Sequence, residues 1–244
     1  MTVFGLTDKG MVRRVNQDAY RYFDMGDDSI CVLVLCDGMG GERAGEVASA
    51  TAADAFIDYA KRRFSGAEPP LTVDVAREAA AWANLQVYDR ACRDDDCRGM
   101  GTTLVAVVAA REDTVIVNVG DSRCYWLAEG QLVQVTRDHS LVQEMLDQGV
   151  ITDDEARSHP RKNVITRAIG TERRIRSDIF RIDFREADTL LLCSDGLSNQ
   201  VTEQEIARIL IASPSLETAA NALLSLALER GAPDNVTLLL MSKR

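Results

Sequence analysis

The sequence predicts an α+β protein, a layered sandwich of largely antiparallel sheets. Three observations carry this reading. Strand-like segments come in blocks and helix-like segments in pairs, without the strict alternation of a doubly wound parallel sheet. The run from Ile30 to Cys36 is apolar without a break and ends in Asp37-Gly38-Met39-Gly40-Gly41, as a strand buried on both faces would. The chain has 244 residues, 46% apolar and 27% charged, enough for a substantial core in one large domain or two small ones.

Taken in order, Val3 to Asp8 and Ala19 to Met25 alternate well enough to be strands. The polar connection between them, Gly10 to Asp18, holds Arg13, Arg14, Asn16, Gln17 and Asp18. Glu42 to Phe64 is Ala-rich and free of Pro, which predicts a helix. After a loop at Gly66 to Pro70, Val73 to Arg93 predicts a second, with Ala76, Ala80, Ala83 and Val87 on one stripe. Leu104 to Ala109, Thr114 to Val119, Arg123 to Leu127 and Leu132 to Val135 follow at hairpin spacing, with turns at Arg111–Asp113 and Glu129-Gly130. Ser140, Thr152 and Thr202 each stand three residues before Gln143, Glu155 and Glu205, a capping-box spacing that predicts helices from about 141, 153 and 203. Ile179 to Phe184 and Thr189 to Cys193 predict strands, Leu216 to Glu229 a helix and Val236 to Met241 a closing strand.

Composition narrows the function. A net charge of −10 argues against general binding to nucleic acid or an anionic membrane. No apolar stretch approaches the length of a bilayer span, and the N-terminus has no apolar core of a signal peptide, so a soluble, cytoplasmic protein is expected. The six cysteines form no C-x-x-C pair. Reduced thiols are expected, although Cys92 and Cys97 flank one turn and are spaced to bridge.

Four acidic residues share one setting. Asp37, Asp121, Asp195 and Asp234 each lie at the edge of an apolar strand-like run, the first three beside a glycine. Carboxylates gathered at buried strand ends repel one another unless a cation holds them. Carboxylate and carbonyl oxygens suit Mg²⁺, Mn²⁺ or Ca²⁺, and with only two histidines in the chain a His-rich zinc site is excluded. Two hard cations close together commonly serve phosphoryl transfer or phosphoester hydrolysis, and an Arg fork is the natural clamp for the phosphate.

Read together, these motifs resemble the protein phosphatase 2C family, the metal-dependent serine/threonine phosphatases, in its bacterial form. Arg13-x-x-Asn16-Gln17-Asp18, Asp37-Gly38-Met39-Gly40-Gly41, Gly101-Thr102-Thr103, Val119-Gly120-Asp121-Ser122-Arg123, Asp138-His139-Ser140, Ser194-Asp195-Gly196-Leu197 and Asp234-Asn235 stand in the family's order. The resemblance implies one phosphatase domain over 1–244, a four-layer α-β-β-α sandwich of two antiparallel sheets flanked by helices. It implies two Mn²⁺ or Mg²⁺ ions bridged by Asp37, with the Gly38 carbonyl on one and Asp195 and Asp234 completing the other. Asp18 would act mainly through metal-bound water. Asp121, with Asp195, would hold a third, weaker ion, and Arg13 would bind substrate phosphate. A water shared by two ions would attack phosphorus directly, leaving Arg13, Asp37 and Asp195 as the catalytic set. The partners implied are phosphoproteins and a cognate bacterial-type serine/threonine kinase, with a monomer expected. A binding module on the same fold and a small-molecule phosphomonoesterase are the competing readings.

One departure stands out. Some family members carry His after Asp-Gly, a proposed general acid, where this chain has Met39. Elsewhere, plainer roles are expected: Arg14 solvated, Trp82 and Trp126 in the core or on a sheet face, and Asp94-Asp95-Asp96 a solvated helix end. Arg123 is expected to pair with Asp121, His139 to order the helix that follows it, and His159 to lie in a loop. Arg157, Arg161, Lys162, Arg167, Arg173, Arg174 and Arg176 crowd a flap subregion, about 140–176, expected to attract a phosphopeptide.

Overall fold

The computed structural model describes residues 1–26, 29–40, 44–66, 70–110 and 113–243, less the side chains of 153, 157 and 158 in a short helix. Gly41, the turn at 111–112 and the Arg157 side chain therefore lie outside the described residues, as do 42–43 at the predicted start of the first helix. The strands are β1 (Thr2–Asp8), β2 (Asp18–Asp24), β3 (Ile30–Met39), β4 (Gly101–Thr102), β5 (Leu104–Ala110), β6 (Asp113–Val119), β7 (Arg123–Ala128), β8 (Gln131–Gln134), β9 (Asp178–Ile182), β10 (Thr189–Cys193) and β11 (Val236–Ser242). The helices are α1 (Ala44–Phe64), α2 (Thr72–Arg93), α3 (Leu141–Asp147), α4 (Asp153–Ser158), α5 (Asp195–Ser198), α6 (Glu203–Ala212) and α7 (Leu216–Glu229).

One sheet runs β1-β11-β10-β7-β8 and the other β2-β3-β5-β6-β9, with β4 paired to the end of β3. Every pairing is antiparallel. The period of two along each strand sorts the core into three layers. On β3, Val32, Val34 and Cys36 face α1 and α2, while Cys31, Leu33 and Leu35 face the second sheet. On β11, Val236, Leu238 and Leu240 pack under α5 to α7, and Leu239 and Met241 point back between the sheets. Central strands thus have no polar face, which is why their sequences read as unbroken apolar runs. The predicted α-β-β-α order is observed.

Small side chains set the outer spacing. Ala48, Ala52, Ala76, Ala79, Ala80 and Ala83 are buried between α1, α2 and the sheet. Gly38 lets α1 come close, since a Cβ there would stand 2.0 Å from the Gly45 carbonyl oxygen in α1. Thr152 and Thr202 form complete capping boxes with Glu155 and Glu205, whereas Ser140 caps α3 by accepting from Gln143 alone.

Two elements differ from expectation. β3 runs past Asp37 to Met39, because Gly38 and Met39 pair with Thr102 and Gly101. Asp37 is therefore anchored within a ladder, not at a free strand end. Ser194-Asp195-Gly196 opens the short helix α5, absent from the expected elements, with Asp195 in its first turn, where a negative charge is favoured. The cysteines are free, Cys92 and Cys97 included.

Leu33 is fully buried between the sheets. Leu33→Ala should cost about 2–5 kcal/mol of unfolding free energy by urea titration; a loss below about 1 kcal/mol would show that the layers do not close there.

Candidate active site

The site forms where one end of β3 meets the ends of β2, β6, β10 and β11. Asp18 and Asp37 are directly cross-strand partners on β2 and β3, so the ladder itself sets two carboxylates side by side. The Asp37 backbone is gripped from the neighbouring connection. Its N–H donates to Thr103 Oγ1 at 2.9 Å, and its carbonyl accepts from Thr103 N–H at 2.9 Å and from Thr102 Oγ1 at 2.8 Å. Thr103 Oγ1 also meets Ser122 Oγ at 2.7 Å, which ties Asp37 to the loop carrying Asp121.

Asp18 bridges the two sheets. Its Oδ2 accepts from Ser194 Oγ at 2.8 Å, while Ser194 Oγ accepts from Thr237 N–H at 3.0 Å. Although Ser194 occupies the N-cap of α5, its hydroxyl makes no cap, being committed to Asp18. Asp195 Oδ2 accepts from Asn199 at 3.0 Å. Asp234 accepts its neighbour's N–H, from Asn235, at 2.9 Å and the Arg13 Nη2 at 2.7 Å. Arg13 thus reaches the acidic group from the loop before β2, half exposed.

The electrostatics show that these residues converge. Burial, reinforced by Asp18, Asp195, Asp121 and Asp234, pushes the Asp37 carboxyl well above the usual range. Burial also raises Asp18 to about 7 and Asp121 to about 8, with Asp195 adding to both. Asp195 rises to about 6 through burial and the nearby Asp234, opposed by Lys162, Arg123 and Arg13.

The donor set fits a hard divalent cation. Asp18 Oδ1 and Asp195 Oδ1 are buried with no hydrogen-bond partner, an arrangement that costs free energy unless something positive faces it. Among the described residues no three acidic, His or Cys side chains close into a ready-made cage. Arg13 pairs with Asp234 at the edge of the group. The Gly38 carbonyl oxygen lies against Gly45 at the start of α1, 2.9 Å from where a Cβ on Gly45 would stand.

Several supporting residues take roles the sequence did not disclose. Arg123 does not pair with Asp121. It forms a fork with Asp138, Nη2 at 2.7 Å and Nε at 3.0 Å, because β7 and the segment after β8 lie side by side. His139 does not order α3. It is buried, its Nδ1 accepts from Gly120 N–H at 3.1 Å, and its Nε2 lies 3.2 Å from Asp178, so it holds the residue before Asp121. Arg167 pairs with Asp178 at 2.9 Å and is not part of a free basic surface. Arg161, Lys162, Arg173, Arg174 and Arg176 are exposed, and Lys162 acts on Asp195. Trp126, on β7, donates to Asp188 at 3.0 Å and packs against the layer between the sheets as expected, whereas Trp82 is neither in the core nor on a sheet face: it lies half-buried on α2 and leans on Tyr59 with ring centroids 6.4 Å apart.

Two helix-flanked antiparallel sheets, with hard oxygen donors and an arginine at one end, define the metal-dependent phosphatase class. Comparison with known proteins resolves the family. The protein phosphatase 2C sequence model matches residues 12–229, and the chain belongs to that family. It is 42% identical over 237 residues to the serine/threonine phosphatase stp of Listeria welshimeri, covering 97% of this chain and 94% of that one. The crystal structure of the Mycobacterium tuberculosis serine/threonine phosphatase PstP/Ppp superposes with a TM-score of 0.88 at 34% identity, covering 100% of this chain and 99% of that chain. The PstP catalytic domain in complex with two manganese ions gives 0.85 at 33% identity, covering 98% and 96%. Among the described residues no helix is long and apolar enough to cross a membrane.

The raised carboxyls set a pH dependence. A carboxyl whose pKa rises on folding stabilises the fold only while protonated. That contribution is present below the ordinary value of 3.8 and is lost as pH climbs through about 6 (Asp195) to about 8 (Asp121). The melting temperature of chelator-treated protein should therefore fall between pH 5 and pH 8, and Asp37→Asn should flatten the fall. A melting temperature constant across that range would contradict the crowding of charge.

Proposed function

We propose that this protein hydrolyses phosphoserine and phosphothreonine in other proteins with two Mn²⁺ or Mg²⁺ ions, over 1–244 as one domain. The observation that carries the reading is the pair of buried, unpartnered oxygens, Asp18 Oδ1 and Asp195 Oδ1, set among further carboxylates beside Arg13. The manganese in the PstP relative supports the same choice of cofactor.

Asp37, the Gly38 carbonyl, Asp195 and Asp234 would hold the two ions, with Asp18 behind them and Asp121 with Asp195 at a third, weaker position. Bound there, divalent cations supply the positive charge that makes water a nucleophile near neutral pH. Arg13 recognises the phosphate. Its fork carries five donors, and the hydrogen bond described for it uses Nη2 alone, leaving others to face an incoming phosphate. Asp234 keeps the guanidinium charged and aimed at the cleft. The thioether of Met39 has no proton to give, and His139 has both ring nitrogens engaged. Neither residue therefore supplies the proton that the leaving alkoxide needs.

Exposed Arg161 and Lys162, the latter acting on Asp195, favour an extended acidic or phosphorylated protein substrate over a small phosphomonoester. A cognate bacterial-type kinase and its targets are the substrates proposed, acted on by a monomer in the cytoplasm. Phosphate release from a phosphothreonine peptide should require Mn²⁺ or Mg²⁺ and stop on chelation. Asp37→Asn should reduce kcat/KM at least about a hundredfold, roughly 2.7 kcal/mol of transition-state stabilisation. Turnover that survives both treatments would sink the assignment.

A further inference from the structure

The Asn235 backbone donates to Asp234, but its side chain turns away from the acidic groups and grips both ends of the loop that presents Arg13. Its Oδ1 accepts from Gln17 N–H at 2.8 Å. Its Nδ2 donates to the Lys9 carbonyl at 2.9 Å and to the Val15 carbonyl at 3.0 Å. The residue is buried, so these three bonds are made out of water, where losing a partner is expensive. The same stretch is held at two more points. Met11 N–H donates to the Ala232 carbonyl at 2.9 Å. Gly10, at φ +73, comes so near that a Cβ would stand 2.2 Å from the Asp234 carbonyl oxygen. Beyond the loop, the Gln17 carbonyl accepts from Gly38 N–H at 3.0 Å, so the grip passes on to the end of β3 beside Asp37.

From this geometry we infer that Asn235 is a positioning residue, one that fixes the Arg13 guanidinium relative to Asp37 and Asp234 by clamping residues 9–17. The inference rests on the phosphatase reading above and deepens it. Arg13 is half exposed and rides on a segment without regular secondary structure, so its aim cannot come from its own packing. The adjacent Asp234 ties the guanidinium and Asn235 ties the backbone beneath it, a division of labour between two consecutive residues. The chemistry demands an amide. A carboxylate in its place would keep the bond from Gln17 but would set a negative oxygen against two carbonyls, and a further charge beside the acidic site.

The test is a double-mutant cycle on the metal-loaded enzyme with Asn235→Ala, Arg13→Ala and both together. Two quantities are read, kcat and KM on a phosphothreonine peptide and the affinity for inorganic phosphate by calorimetry. Asn235→Ala should weaken phosphate and raise KM about tenfold, with kcat changed less than about threefold. In the Arg13→Ala background the same substitution should change phosphate affinity less than about twofold. Gly10→Ala, which pushes the loop away from Asp234, should reproduce the single-variant phenotype; it and Asn235→Asp carry the test if the alanine variant does not fold. A purely structural Asn235 would lower the melting temperature and weaken phosphate by the same factor with or without Arg13, and that result overturns the inference. Unchanged phosphate affinity in the single variants overturns it as well. A wild-type enzyme that binds phosphate but releases none from the peptide would instead count against the proposed function, and the calorimetric cycle would still decide the clamp.

Discussion

Mutual repulsion among carboxylates brought to one end of two stacked sheets is the constraint that the surrounding structure answers. Asp18 and Asp37 are neighbours because β2 and β3 pair, and Asp195 and Asp234 join them because β10 and β11 lie in the facing sheet. Nothing in the local chain favours such a gathering. It is sustained by the hydrophobic layers on either side, whose fully buried strands leave the backbone no alternative register. A group this crowded is poised to accept countercharge, and the raised Asp37, Asp121 and Asp18 carboxyls express the same strain as a proton affinity.

Hydroxyl and amide side chains turn this crowding into a defined geometry. Thr103 and Ser122 link Asp37 to the Asp121 loop. Ser194 links Asp18 across the sheet interface, and Asn235 reaches the Arg13 loop. Each carries a neutral polar group into a buried position where a charge would add to the repulsion and an apolar group would leave backbone unpaired. The rigid sheet ends therefore present the acids, while short polar connections adjust their aim.

Charge is divided by region. The ends of the sheets are acidic, with Arg13 as a cation paired to them, and a group of exposed basic residues, Arg161, Lys162, Arg173, Arg174 and Arg176, stands on the segment between α4 and β9. Arg123 and Arg167, which also lie near the acids, are neutralised by Asp138 and Asp178. Basic residues that belong to the scaffold are thus silenced, and those that face solvent remain available to a substrate.

The sequence by itself determined the layers and most of the acidic set. Apolar alternation, alanine stripes and capping spacings are local patterns, and they place β10, α2, α6 and β11 within a residue or two of where they are found. Asp37, Asp195 and Asp234 were legible as acids at the margins of buried strands, and Arg13 and Asp18 by resemblance to a family. Tertiary structure alone decided who meets whom: Arg123 with Asp138 instead of Asp121, His139 under Gly120 instead of against α3, Ser194 on Asp18 instead of capping its own helix. Such a bond is chosen by which strands become neighbours once the chain has closed, over 15 residues for Arg123 and Asp138 and over 176 for Ser194 and Asp18. Spacing along the chain carries no record of that choice, because a polar side chain at a strand end has several partners within reach until the sheets stack and leave one.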